Sequence, residues 1–364
     1  MRRRWLGVGG ACVALGVLLL LLPGPIDPVA WNPPADAGFV GAFARNDRLA
    51  ALDTLPLQGW TGPEDATEGP DGTVYLPTHE GAVLALDPGT DLPREVARPG
   101  GRVLGLQWDP VGDRLLLADA YRGLLEADVE TGAVRVLADA ADGVPIRYAD
   151  HLDVDPQGRI WFSDASTKYG AQDHGGTWAA SLLDVMEHGG HGRLLVHDPA
   201  TGETRVALDG LQFANGVAVS HDGRAVLVVE TGSYRVLRLP IEGGRPAVFI
   251  DNLPGFPDNL RRGREGRYWL GLISGRSVPL DALAPYPRLR ALVQRLPDWM
   301  RPKEVPVGHV VALDDSGAVQ VSLQDPAGAY PKTTGVLETA DRLWVTSLSA
   351  DRVGFLPASA VRGP

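Results

Sequence analysis

Sulfur is nearly missing from this chain: of 364 residues only three are methionine and one, Cys12, is cysteine. A lone cysteine excludes an intramolecular disulfide and a thiolate zinc site, and its place inside an uncharged hydrophobic stretch argues against a nucleophilic role. Positive charge is also scarce. Lys and Arg number 34 against 45 Asp and Glu, for a net charge of −11, and three of the arginines (Arg2, Arg3 and Arg4) sit together at the N-terminus. A domain so acidic, with no basic stripe interleaved with aromatics, should repel phosphate backbones, so no nucleic-acid partner is expected. Lipase-type GxSxG and phosphate-cradling P-loop patterns are absent, which removes serine-hydrolase and nucleotide readings. Beyond Leu22 there is no further long hydrophobic run.

The one run that exists covers residues 5–22, uncharged and preceded by the three arginines. Eighteen helical residues span about 27 Å, close to the thickness of a hydrocarbon core. The reading is a transmembrane anchor with a cytoplasmic tip (residues 1–4) and everything after Leu22 exported, as a single-pass membrane protein. A cleavable signal peptide is the competing reading. Its apolar core is shorter and ends in a small-x-small site, whereas this run ends in PGPIDP.

Gly (45) and Pro (30) are plentiful and scattered, which suits many short strands joined by turns. After a linker over residues 23–58, one unit recurs through residues 59–364: an Asp/Gly turn, an apolar strand, a polar step, another strand. Copies read GPDGTVYLPTHEGAVLALD from Gly69, DPVGDRLLLADAYRGLLEAD from Asp109, DPQGRIWFSDAS from Asp155, SHDGRAVLVVETGSYRVLRL from Ser220, GREGRYWLGLIS from Gly263 and TADRLWVTSLSADRVGFL from Thr339. Strand-only repeats of about 40 residues predict an all-β, six-bladed β-propeller, and a monomer is expected. Two insertions break the period. Residues 166–192 interrupt the third blade, and residues 275–308 are expected to separate the fifth blade from the sixth. The second has apolar helical spacing at Leu289, Leu292 and Leu296 and predicts a surface helix over one propeller face.

Polar residues just before the innermost strands of a propeller converge on its axis. Four stand at equivalent points of their repeats: Glu64 in GPED, Asp150 in YADHLDV, Asn215 in FANGVAVS and Asp258 in FPDNL. Singly, such residues commonly make turns with their own backbone. Together, three carboxylates and a carboxamide form a hard oxygen set suited to Ca²⁺ and poorly suited to zinc or copper.

The segments FANGVAVSHDGRAVLVVETGSYRVLRL and DNLPGFPDNLRRGREGRYWLGL resemble the calcium-dependent propeller superfamily of gluconolactonase and regucalcin. With YADHLDVDPQGRIWFSDASTKYG, LLDVMEHGGHGRLL and SLQDPAG, the resemblance is closest to its strictosidine synthase-like branch and covers most of the chain from about Gly62. It implies that Glu64, Asp150, Asn215 and Asp258 bind a catalytic calcium. The second position in the superfamily is usually Asn followed by Asp; here Asp150 is followed by His151, which keeps an oxygen ligand and loses an acid. The resemblance also implies one N-terminal anchor.

A metal at this point suits polarisation of an ester, lactone or phosphoester oxygen of a small-molecule substrate, with Asp258 or His151 as the base. Paraoxonase-like relatives use a histidine pair, which GRVLGLQW from Gly101 lacks. Strictosidine synthases use a glutamate near the last blade, where AYPKTTG from Ala329 has no carboxylate. His174, His188 and His191 read as a rim loop without zinc geometry, and His309 as a packed side chain. Three functions stay open: a calcium-dependent lactone or aryl-ester hydrolase, a non-catalytic binding propeller, and a condensation enzyme.

Overall fold

The computed structural model describes residues 24–362; the predicted anchor over residues 5–22 lies outside them. Among the described residues no helix is long and apolar enough to cross a membrane.

Six four-stranded antiparallel sheets form the blades of a β-propeller. Their inner strands are Thr67–Glu68, Val103–Asp109, Ala149–Val154, Ala214–Val219, Gly255–Arg262 and Thr333–Glu338. Because each blade packs on two neighbours, its inner and middle strands are apolar on both faces. Ala225–Glu230 (AVLVVE) is buried along its whole length. Inter-blade cores do the joining: Leu116, Ala118 and Leu124 of the second blade pack with Leu152, Ile160, Phe162 and Leu195 of the third. Each fully buried leucine or phenylalanine of this kind contributes about 1.5–3 kcal/mol.

The Asp/Gly repeat marks the turn between first and second strands. Asp155 accepts hydrogen bonds from the backbone N–H groups of Gln157 (3.0 Å) and Arg159 (2.9 Å) and from the Trp161 indole (2.9 Å). Asp314 closes the corresponding turn between outer strands of the fifth blade through Ser316 and Ala318. An Asp side chain that bonds the backbone two residues on fixes the turn, which is why it recurs.

Ring closure uses the N-terminal side of the chain. Strand Asp53–Pro56, inside the segment read as a linker, pairs with Arg352–Pro357 as the outer strand of the sixth blade, with Leu55 opposite Val353. The later insertion departs from its predicted position. The fifth blade's third and fourth strands, Gly308–Leu313 and Val319–Asp325, follow residues 276–307. That insertion therefore interrupts the fifth blade between its second and third strands and does not separate two blades. His309 accordingly belongs to the fifth blade. The third-blade insertion occupies the same point of its own blade. Both lie at the propeller end where the inner strands begin. They supply helices α1 (Thr177–Glu187), α2 (Val278–Leu283) and α3 (Pro287–Gln294).

Candidate functional site

Five of the six inner strands have a register break near their start, Thr67–Glu68 of the first blade being the exception. The pairing with the second strand slips between Ala149 and Leu152, between Ala214 and Val217, and between Pro257 and Leu260. Asp150, Asn215 and Asp258 sit in those bulges, and a bulge turns its side chain off the sheet plane. Here the turn is toward the axis. Leu104 and Thr334 hold the matching breaks of the second and sixth blades. Close approach of the inner strands depends on glycine. A Cβ on Gly216 would lie 2.2 Å from the Leu260 backbone nitrogen and 2.6 Å from the Asp258 carbonyl oxygen. Glycine after Asn215 thus lets the fourth and fifth blades close and brings Asn215 to Asp258.

Glu64, Asp150, Asn215 and Asp258 are all buried and together line the floor of one cavity of about 520 Å³. Asn215 hydrogen-bonds the Asp258 carboxylate. Glu64 accepts a 2.8 Å hydrogen bond from the buried Arg102 guanidinium; Thr334 and Asn259 hold its backbone carbonyl at 2.6 and 2.9 Å. Burial pushes the Glu64 carboxyl up to about 7 in spite of Arg102. Burial, then the neighbouring carboxylates, push Asp150 and Asp258 well above the ordinary range. The cause is plain: acids are crowded in a low-dielectric floor with too little positive charge.

The donor set fits a hard cation. Asp150 Oδ1, Asn215 Oδ1 and Asp258 Oδ1 are buried oxygens without a hydrogen-bond partner, a state that costs free energy unless something binds there. Among the described residues no group of three His, Cys, Asp or Glu side chains closes on a metal position. Glu64 is matched by Arg102, while Asp150 and Asp258 have no ion pair among the described residues, leaving a site whose acids one divalent cation would balance.

The cavity walls are apolar. Trp178, Leu182, Val185 and Met186 of α1, Phe213, Phe256, and Leu280 and Val293 of the fifth-blade insertion surround the polar floor. Size, apolar walls and a few convergent polar groups are those of a small-molecule site. The rim carries Asp298, Arg301, Lys303 and Glu304. Although AYPKTTG itself has no carboxylate, its Lys332 meets Glu304 at 3.3 Å and lies 3.8 Å from the Trp178 ring centroid.

His151 is not part of this cavity. Asp150 and His151 both sit in the bulge between Ala149 and Leu152, which sends their side chains to different cavities. His151 lines a separate cavity of about 330 Å³ with Gln107, Asp153, Arg261 and Arg262. The Val217 N–H donates to its Nδ1 at 3.1 Å, and its Nε2 lies 3.5 Å from Asp65. Asp65 also accepts from Arg261 at 2.7 Å and from the Leu106 N–H at 2.9 Å. Burial opposes its ionisation, but Arg261 and His151 prevail and hold it at about 2. Sequence reasoning missed Arg102, Asp65 and Asn259. The signal was the second member of each dipeptide, Glu64-Asp65, Asp150-His151 and Asp258-Asn259, a buried polar residue directly after each acid of the quartet.

The four other histidines considered from the sequence, His174, His188, His191 and His309, each meet a neighbouring group. His188 stacks on Trp31 with centroids 4.0 Å apart, His191 meets Glu187 at 2.7 Å, and His174 meets the Gly170 carbonyl at 3.0 Å. His309 is buried, with Nε2 3.0 Å from the Ser322 hydroxyl.

The six-bladed ring is a fold shared with solved structures described as a gluconolactonase and a regucalcin. A gluconolactonase from Xanthomonas campestris superposes with a TM-score of 0.62 at 19% identity, covering 93% of this chain and 99% of that one. A calcium-binding regucalcin from Agrobacterium tumefaciens gives 0.59 at 18% identity, covering 84% and 93%. The family profile described as Strictosidine synthase matches residues 150–243, and that of Strictosidine synthase-like, N-terminal, matches residues 41–86. The chain is 33% identical over 349 residues to the adipocyte plasma membrane-associated protein of Rattus norvegicus, covering 89% of this chain and 90% of that protein. It is 34% identical over 336 residues to the Homo sapiens protein of that name, covering 85% and 78%. A strictosidine synthase-like protein of Arabidopsis thaliana is 35% identical over 292 residues, covering 78% and 74%. The chain belongs to the strictosidine synthase-like family.

Proposed function

We propose that the protein is a calcium-dependent hydrolase of lactones or aryl esters. The observation that carries this reading is the set of buried, unpartnered oxygens of Asp150, Asn215 and Asp258 beside Glu64 at the floor of an apolar-walled cavity. Two proteins of like fold, described as a gluconolactonase and as a calcium-binding protein, agree with it. Glu64, Asp150, Asn215 and Asp258 would hold Ca²⁺, which when bound polarises an ester oxygen and acidifies water.

The chain's own groups divide the remaining work. Arg102 fixes Glu64, and the Asn215 amide orients the Asp258 carboxylate. Asp258 is the one of the two predicted bases that faces the cavity, so it takes the proton from the attacking water and returns it to the leaving alcohol oxygen. His151 is assigned no catalytic step because it faces the opposite cavity. Trp178, Phe213 and Phe256 seat an aromatic or alicyclic body and exclude water. Residues 5–22 anchor the exported propeller in a membrane, in keeping with the plasma-membrane name of the animal relatives.

The test is turnover of lactone and aryl-ester panels by the purified full chain before and after chelation. Chelation should abolish activity and calcium restore it. Activity unchanged by chelation would sink the calcium requirement; no turnover with calcium bound would leave a binding propeller.

A further inference from the structure

The face that carries the cavity mouth is built unlike the rest of the surface. Large apolar side chains of the fifth-blade insertion stand in solvent: Val278 is 74% exposed and Trp299 77%, with Tyr286, Leu289 and Met300 near one half. Leu182 of α1, a cavity-lining residue, is exposed beside them. Helix α3 is inverted relative to an ordinary surface helix. It buries Arg290 completely and Gln294 nearly so, while Leu289 points outward. The inversion has a local cause. Beneath α3 lie carbonyls rather than a core, and the Arg290 guanidinium donates to Val29 O and Val185 O, both at 3.0 Å. The insertion also reverses the charge of the chain, with six basic and three acidic residues over 276–307 in a protein of net charge −11.

The N-terminal segment ends on this same face. From Ala35 back to Gly24 it runs between the two insertions. The Asn252 side chain donates to Ala35 O, Arg276 to Pro34 O, and Trp31 stacks on His188. The Val29 N–H donates to Glu187 O at 2.8 Å and the Asp27 N–H to the Glu187 carboxylate at 2.7 Å. Gly24 packs so closely on the Arg295 guanidinium that a Cβ there would lie 2.8 Å from Nη2. The uncharged run over residues 5–22 ends two residues earlier, so a bilayer that holds it lies next to α3.

From these placements we propose that the insertion face docks on the surface of an anionic lipid bilayer, with Trp299, Met300 and Leu289 entering the headgroup boundary and the cavity mouth opening onto the membrane. Exposed Trp and Leu flanked by Arg288, Arg301 and Lys303 form the amphipathic pattern of interfacial segments. The basic insertion is complementary to anionic headgroups, while the acidic remainder is repelled from them. Resting on the hydrolase reading, the substrate class is an amphiphilic ester or lactone that partitions into the bilayer and enters the apolar-walled cavity sideways.

The experiment uses the full chain carrying Cys12→Ser, reconstituted in phosphatidylcholine–phosphatidylserine vesicles. A single cysteine is introduced by Trp299→Cys or, as a second rim position, Leu289→Cys, and labelled with an environment-sensitive fluorophore. Val111→Cys, exposed in the turn at the opposite end of the second blade, is the reference. Brominated lipids should quench both rim probes several-fold more than the Val111 probe. Equal, weak quenching at all three positions overturns the proposal. So does cross-linking of rim cysteines between copies that rises with protein density, which would make this face a self-association surface. Quenching needs no turnover, so its failure is distinct from failure of the hydrolase reading.

Discussion

At the residue scale, Asp150 and Asp258 decide how the site behaves. Both are buried, neither has an ion pair among the described residues, and both are pushed well above the ordinary carboxyl range. Asp150→Asn keeps the shape and an oxygen ligand and removes a carboxyl that the crowded acidic floor opposes. The variant should therefore be at least as stable as the parent without calcium at pH 7, and gain less from calcium. The parent should gain about 2.7 kcal/mol at a hundredfold excess over Kd, read as a rise of several degrees in Tm by calorimetry. Asp258→Asn should lower kcat at least ~100-fold with the cavity intact. Buried histidines set a separate pH dependence. Burial holds His309, and burial with the Arg290 and Arg235 charges holds His188, down at about 3. Unfolded histidine protonates near 6.5, so between roughly 6.5 and 3 the unfolded state binds more protons, and stability falls as pH falls through that window. Each should remove about 2 kcal/mol between pH 7 and pH 5. Denaturant titrations in saturating calcium should show a flatter pH profile for His309→Gln than for the parent.

At the element scale, register breaks and glycine do the positioning. Gly216→Ala would drive a methyl into the Leu260 nitrogen and the Asp258 carbonyl. A cost of about 3 kcal/mol is expected, with a loss of calcium affinity beyond what the lower Tm explains. Thermal melts and calcium titrations of the variant separate the two effects. Much of this layer was legible in the sequence. The Asp/Gly turns repeat because each closes a hairpin through side-chain-to-backbone bonds, and the quartet stands out because each member occupies the same point of its repeat. Three things could not be read. The bulge between Ala149 and Leu152 decides that His151 and Asp150 line different cavities, and a bulge leaves no mark in composition. The fifth blade's outer hairpin follows an insertion, so GREGRYWLGLIS looked like a complete unit. The stripe Leu289, Leu292, Leu296 marked a helix, which ends at Gln294 short of Leu296, but not its buried face, since what lies beneath α3 is backbone carbonyl and Arg290 answers it.

At the scale of the whole molecule, the ring closes through Asp53–Pro56 on Arg352–Pro357, while residues just upstream tie the two lid insertions together. The strap over residues 24–35 bonds α1 through Glu187 and α3 through Arg290. Arg290→Ala leaves the Val29 and Val185 carbonyls without that partner. It should expose the strap to limited proteolysis well before the blades open, with the cleavage sites read by mass spectrometry. The central claim is that the four axial residues hold one divalent cation required for hydrolysis. Calorimetric titration of calcium into the chelator-treated full chain, alongside Asp150→Ala, which removes the ligand oxygen, tests it most directly. The expected result is one calcium per chain in the parent and none in the variant. No binding by the parent, or equal binding by both, would contradict it.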